Sequence, residues 1–305
     1  MIAGIETGGT KVICAVAETS APGNIIERIR IPTTSPAETL GTVRSFLDRH
    51  AARGTLDAVG LAAFGPVIVD SSSPSYGWIT STPKPGWRNT DVPRALGLGD
   101  TVPLQVVTDV TGAAIGEQRA GAGAGFRNVA YVTVGTGIGA GFASDGLPFL
   151  TRSHPEMGHQ LLRRFPGDDF PGICPFHGDC AEGLASGPAV LGRWGRPGEL
   201  LDASARAEAV PVLAYYLAQL LAAVTYAVAP DRIILGGGVL RIAGLLDAVR
   251  SQLSHLVGGA LDAHPLTRPD SGYVCSPALG DQAGVQGALF LARDLVETRS
   301  PLTAA

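Results

Sequence analysis

The sequence predicts an α/β protein built from two related halves. Three observations carry that expectation. Short apolar strands alternate with segments of helical spacing, the pattern of layered α/β architecture. The opening unit of strand, glycine turn and strand (IAGI, ETGGTK, VICAVAE) returns at residues 128–146 as NVAYVTVGTGIGAGFASDG, and such recurrence marks a repeated structural unit. The 305 residues, 45% of them hydrophobic, allow a substantial core in one large domain or two moderate ones.

Each element follows from its local pattern. In residues 36–53, Leu40, Val43, Phe46 and Leu47 stand at helical spacing. AVGLAAFGPVIVD (58–70) reads as a buried strand ending in Gly65-Pro66, and residues 71–93, containing YGWITSTPKPGW, as a long polar, proline-rich loop. LQVVTD (104–109) is a strand, and VTGAAIGEQRAGA after it begins as a helix whose small residues permit close packing. A boundary near residue 110 separates the halves. The run VPVLAYYLAQLLAAVTYAVAP (210–230) approaches the roughly 20 apolar residues of a membrane span. Gln219, Thr225 and three tyrosines dilute it and Pro211 sits near its start, so it reads as a buried helix. RIILGGGVL (232–240) is a buried strand with a glycine-rich end, and VQGALFLARDLVE (285–297) is a closing helix.

A net charge of -4 and a pI near 5.9 give no electrostatic reason to expect nucleic acid as a partner. MIAGIETGG lacks a basic region followed by an apolar signal core, which points to a reducing cytoplasm. There, clustered cysteines suggest metal or redox chemistry rather than disulfides.

The glycine turns carry the first chemical signal. In TGGTK, Gly8 and Gly9 have backbone freedom and bare amides that can face an anion, while Thr10 adds a hydroxyl and Lys11 a charge. Gly135, Thr136 and Gly137 repeat the device, and Gly236, Gly237 and Gly238 offer a third. Either the turns cradle phosphates or they are tight hairpins; neither of the first two has the spacing of the dinucleotide fingerprint or the GxxxxGK[ST] loop. Asp109 ends a strand where open α/β sheets place ligands. It can serve as a base in phosphoryl transfer or as the cap of the helix that follows.

SHPEMGHQ resembles a metalloprotease motif only superficially. His154 and His159 are five apart with Pro155 and Gly158 between them, not four apart on one helical face. Glu156 can instead accept hydrogen bonds from a polar ligand, and His159 can bind metal. In GICPFHGDC (172–180), Cys174, His177 and Cys180 supply three zinc-type ligands in a loop. If His159 is the fourth, no coordination position stays open and the zinc is structural, stapling the 154–159 loop to the 172–182 loop beside Glu156 and Glu182. Cys14 and Cys275 read as small hydrophobes.

Taken together, ETGGTK (6–11), TDVTGAAIGE (108–117), VTVGTGIGAG (132–141), HPEMGH (154–159), CPFHGDCAEGLASGP (174–188) and ILGGGV (234–239) resemble the ROK family of sugar kinases. YGWITSTPKPGW (76–87) is similar to the bacterial fructokinase branch in particular. The resemblance implies an actin-like ATPase (ribonuclease H-like) fold, two related α/β domains around a cleft. Residues 1–109 with a C-terminal helix of about 285–305 would form the smaller domain, and 110–284 the larger one with the zinc loop. It implies ATP as co-substrate with Mg²⁺, a hexose as acceptor, structural Zn²⁺ on His159, Cys174, His177 and Cys180, and a homodimer. Asp109 becomes the general base, and Glu156, His159 and Glu182 face the sugar. Thr136, Pro188, Gly236, Gly237, Gly238, Val239 and Leu240 fall where the family contacts nucleotide, along with both glycine turns. The expected activity is phosphorylation of D-fructose to fructose 6-phosphate. A mannokinase or glucokinase of the same family, or a non-catalytic sugar sensor, are the alternatives.

Two departures qualify the resemblance. Glu6 stands where the family usually has Asp, which alters its contact with a magnesium-bound water. Thr108 stands where the sugar site often has Asn, which should change hydroxyl recognition.

Overall fold

The computed structural model describes residues 1–98, 102–149, 154–261 and 270–299. The chain runs β1 (Ile2–Thr7), β2 (Lys11–Ala17), β3 (Ile25–Pro32), α1 (Pro36–Ala51), β4 (Ala58–Ala63), β5 (Trp78–Ile79), β6 (Thr90–Asp91), α2 (Val92–Ala95), β7 (Leu104–Thr108) and α3 (Asp109–Ala120). It continues with β8 (Asn128–Val134), β9 (Ile138–Ser144), β10 (Leu147–Pro148), α4 (Ala181–Ala185), α5 (Gly187–Trp194), α6 (Ala203–Val228), β11 (Arg232–Gly236), α7 (Leu245–Val257), β12 (Val274–Cys275) and α8 (Ala283–Arg299). Short 3-10 turns include Met157–His159 and Gly238–Arg241.

The repeat in the sequence is a repeat in topology. One five-stranded sheet has the order β3-β2-β1-β4-β7, and the other has β10-β9-β8-β11-β12. In the first, β1 is antiparallel to β2 and parallel to β4, which is parallel to β7. In the second, β11 lies parallel to both β8 and β12. Each half thus feeds parallel strands whose carboxyl ends share an edge, where such sheets place ligands.

The first compact unit comprises Met1–Ala124, Gly141–His154 and Leu279–Ala305; residues 300–305, part of the expected C-terminal segment, lie outside the described residues. Its sheet buries both faces, and the side chains sort by the period of two. Ala3, Ile5, Val12, Cys14 and Val16 join a core with Leu40, Val43 and Phe46 of α1. Ile2, Ile13, Ala15 and Ala17 face Val285, Leu289 and Ala292 of α8. Glycines let α8 settle onto that face: a Cβ at Gly60 would stand 1.9 Å from the Ala288 carbonyl oxygen. Glu117 of α3 is fully buried and accepts the Ala122 N–H at 2.7 Å and the Leu279 N–H at 2.8 Å.

The second unit comprises Gly125–Ala140 and Pro155–Ala278. In it α6 packs on α7, and the apolar strands β8 and β11 pair in parallel and are largely buried. By length and composition α6 could cross a membrane, but 56% of its most apolar stretch is buried within the protein. In α7, Leu245, Val249, Leu253 and Val257 are buried at intervals of four.

The α3 helix packs along α8 within the first unit. Two expectations change. The strand expected over 58–70 stops at Ala63; Val67 bridges to Ile79 instead. The segment 71–93 is more than a loop: β5 and β6 pair as antiparallel strands, Trp87 is fully buried, and its indole N–H donates to the Thr34 carbonyl at 2.8 Å.

Candidate active site and metal centre

The first glycine turn joins β1 to β2. Its Gly8 N–H closes onto the Lys11 carbonyl at 2.9 Å, and the Thr33 hydroxyl donates to the Gly8 carbonyl at 2.6 Å. Gly9 and Thr10 are exposed, and a Cβ at Gly9 would meet nothing within 4 Å. Lys11 reaches Asp281 at 3.3 Å. Gly8, Gly9, Gly135 and Gly137 all keep φ outside the left-handed region. Conformational freedom is therefore not what these positions use, and the Gly8 and Gly135 N–H groups close their own turns.

Asp109 is the first residue of α3, half-buried, with its Oδ1 accepting the Val110 N–H at 2.8 Å. It is not the helix cap. That role belongs to Thr108, whose hydroxyl oxygen accepts the Thr111 N–H at 3.1 Å and donates to the Thr111 hydroxyl at 2.8 Å. At 3% exposure the Thr108 hydroxyl is taken up by the helix start. The Asp109 carboxylate lies at a helix N-terminus, which stabilises negative charge.

Glu6 lies near the carboxyl end of β1, on the face against α8. Its Oε2 accepts the Val285 N–H at 3.1 Å, and a Cβ at Gly284 would stand 2.5 Å from its carboxyl carbon. Burial, then the negative charge of Asp109, push this carboxyl up to about 7. The extra methylene relative to Asp is thus used to reach the α8 N-terminus.

The second turn lies between β8 and β9. Gly135 N–H donates to the Gly137 carbonyl at 2.9 Å, and Gly187 N–H, at the start of α5, donates to the Gly135 carbonyl at 2.7 Å. Thr136 is exposed at its tip, as is Pro188 in the first turn of α5. The third glycine segment follows β11. Gly237 has φ +98° and a Cβ there would stand 2.3 Å from the Val134 carbonyl oxygen, so only glycine fits. Gly236 is buried, Gly238 is open to solvent, and Val239 and Leu240 continue into the 3-10 turn with Val239 buried.

The fold also brings four candidate ligands together. His159, Cys174, His177 and Cys180 place one ligand atom each within 4.8 Å of the others. Cys174 Sγ lies 3.6 Å from His159 Nδ1 and 3.7 Å from His177 Nδ1, and Cys180 Sγ lies 3.6 Å from His159 Nδ1. Bonds of about 2.3 Å to sulfur and about 2.0–2.1 Å to nitrogen at a tetrahedral angle give sulfur–nitrogen separations of about 3.6 Å. The donor set therefore fits tetrahedral zinc in spacing and in chemistry. Reciprocal hydrogen bonds between Cys174 and Gly178 backbones, at 3.1 and 2.9 Å, fold the knuckle, and Ala181 N–H ties it to the Gln160 carbonyl at 2.9 Å. Burial pushes the Cys180 thiol up to about 11, and Cys174 adds to this; a cation would reverse that by favouring the thiolate. His159 Nε2 points toward Glu156, 3.9 Å away, a partner that would orient the ring. Glu156 is exposed; Glu182, the second residue of α4, accepts the Ile138 N–H at 2.9 Å.

One network escaped the sequence reading. Arg193 grips Asp168 with two hydrogen bonds, 2.6 and 2.7 Å, and both side chains are under 10% exposed. The Tyr216 hydroxyl and the Phe170 N–H also donate to Asp168, and the guanidinium lies 4.2 Å from the Phe170 ring centroid. The burial of Asp168 alone would raise its carboxyl, but these donors outweigh that and hold it down at about 2. This network fastens the 163–172 loop, which leads into the knuckle, to α5 and α6.

The family model of the ROK family matches residues 2–295. The chain belongs to the ROK family. It is 40% identical over 293 residues to a fructokinase of Pediococcus pentosaceus, covering 96% of this chain and 98% of that one. A fructokinase of Zymomonas mobilis is likewise 40% identical over 291 residues, covering 94% and 95%. Among solved structures, a ROK family glucokinase from Streptomyces griseus in complex with glucose and AMPPNP superposes with a TM-score of 0.71 at 25% identity, covering 96% and 99%. A ROK hexokinase from Thermus thermophilus gives 0.75 at 24%, covering 97% and 99%. The fold of this ROK protein is accordingly the actin-like ATPase fold.

Proposed function

We propose that the protein transfers the γ-phosphoryl group of ATP to D-fructose, giving fructose 6-phosphate and ADP, in the cytoplasm and as a homodimer. The observation that carries this reading is near-full-length similarity, at about 40% identity, to fructokinases. The chemistry of the chain's own groups suits the mechanism. Asp109 accepts the proton of the 6-hydroxyl as the sugar oxygen attacks the γ-phosphorus and the bond to the β–γ bridging oxygen breaks. Its carboxylate needs no raised affinity for protons, since transfer can come late. The Gly8–Thr10 and Gly135–Gly137 turns, with Lys11, face the phosphates, and MgATP brings the divalent cation that neutralises their charge. Pro188, Gly236–Gly238, Val239 and Leu240 contact the rest of the nucleotide. Glu156, His159 and Glu182 orient the sugar. Zinc on His159, Cys174, His177 and Cys180 is structural, because four protein ligands leave no position for substrate.

A panel of hexoses with ATP and Mg²⁺, compared by kcat/KM, tests the assignment. Fructose should exceed mannose and glucose by at least about ten-fold. A higher kcat/KM for glucose or mannose would replace the substrate, and no ADP formation with any hexose would replace the kinase with a sensor.

A further inference from the structure

The second glycine turn is built into the same piece of structure as the Cys/His cluster. Glu182 sits two residues after Cys180, and its Oε2 accepts the Ile138 N–H at 2.9 Å. A Cβ at Gly137 would stand 2.8 Å from that same oxygen. The Ile138 carbonyl is pressed by the other ligand segment: a Cβ at Gly158, beside His159, would stand 2.1 Å from it. The Gly187 N–H holds the Gly135 carbonyl at 2.7 Å. Residues 135–138 are therefore clasped by segments that carry cluster ligands or directly follow them. Within that clasp Glu182 supplies a charge-assisted hydrogen bond through one oxygen, and its other oxygen is not part of that bond.

We propose that Glu182 is a positioning residue for the second glycine turn as well as a sugar contact, so that hexose and nucleotide bind with positive coupling through one carboxylate. The inference rests on the kinase reading above. A hexose hydroxyl on Oε1 fixes the carboxylate that holds the Ile138 N–H, and that hydrogen bond orders the turn that meets the phosphates. By linkage, whatever factor fructose adds to nucleotide affinity, nucleotide adds to fructose affinity.

The test is calorimetric titration of ADP and, separately, of fructose into the full chain, each with and without the other ligand. Metal content and a melting curve accompany each variant. In the wild type each ligand should tighten the other by the same factor, about five-fold or more. Glu182→Ala removes the acceptor, so ADP binding should weaken about ten-fold even without sugar and the coupling should vanish. Glu182→Asp keeps the charge but withdraws it by one methylene, so it should behave like Glu182→Ala toward ADP; it decides the matter if the alanine variant does not fold. Glu182→Gln keeps an acceptor for the Ile138 N–H and should retain ADP affinity within about three-fold while losing fructose affinity. Folded, metal-replete Glu182→Asp that binds ADP as the wild type does would overturn the inference and leave Glu182 a sugar contact alone. A wild-type protein that binds neither ADP nor fructose would overturn the kinase reading on which it rests.

Discussion

Replacing Arg193 with methionine should unfold the protein at markedly lower denaturant. The substitution keeps most of the aliphatic length but removes both hydrogen bonds to Asp168. It leaves a carboxylate whose side chain is 7% exposed without its cation. Stranding one member of a buried ion pair typically costs about 3–5 kcal/mol. Asp168 keeps the Tyr216 O–H and the Phe170 N–H, which argues for the lower end, while the lost stack on Phe170 adds roughly 0.5–2 kcal/mol. About 3 kcal/mol is the resulting expectation, to be read from urea unfolding followed by circular dichroism. The pH dependence supplies a second check. The folded Asp168 carboxyl titrates at about 2, below its ordinary range. Its contribution is therefore present above that ordinary range and is lost as pH falls from about 4 toward 2. The gap between wild type and Arg193→Met should narrow over that interval. A loss below about 0.5 kcal/mol at pH 7, or a gap independent of acid, would refute the reasoning.

Other consequences follow from the same geometry. Purified protein should contain about one zinc per chain, and Cys174→Ala should lower both metal content and melting temperature; full zinc in that variant would remove Cys174 from the ligand set. Glu6 has a folded value of about 7, above that of an unfolded glutamate. It therefore costs stability as pH rises from about 4.5 to 7, the cost being complete above that. Glu6→Gln should raise the melting temperature at pH 8 and leave it nearly unchanged at pH 4, as scanning fluorimetry would show; equal shifts at both would contradict the assignment.

Much of the fold is legible in the sequence where glycine turns join apolar strands, because chain reversal and alternation leave a local signature. The β1–β2 and β8–β9 units declare themselves that way, and the matching sheet orders follow from them. Edge strand β3 does not, because Glu27, Arg28 and Arg30 interrupt its isoleucines and leave a weak apolar signal. Trp87 hides in a proline-rich segment that reads as surface, although its indole closes onto Thr34 across 53 residues. The Cys/His cluster is readable because three of its members lie within seven residues and the fourth belongs to a motif. Asp168 with Arg193, and Glu182 with Ile138, are pairings set by tertiary packing at separations of 25 and 44 residues. Nothing local marks them. For Asp109 the sequence offers cap or base, and the structure gives the cap to the preceding threonine.

The most direct measurement is turnover of Asp109→Asn on fructose at saturating MgATP, alongside its ADP affinity. The account predicts a fall in kcat of at least about 100-fold with ADP binding unchanged. Turnover within a few-fold of the wild type would contradict it.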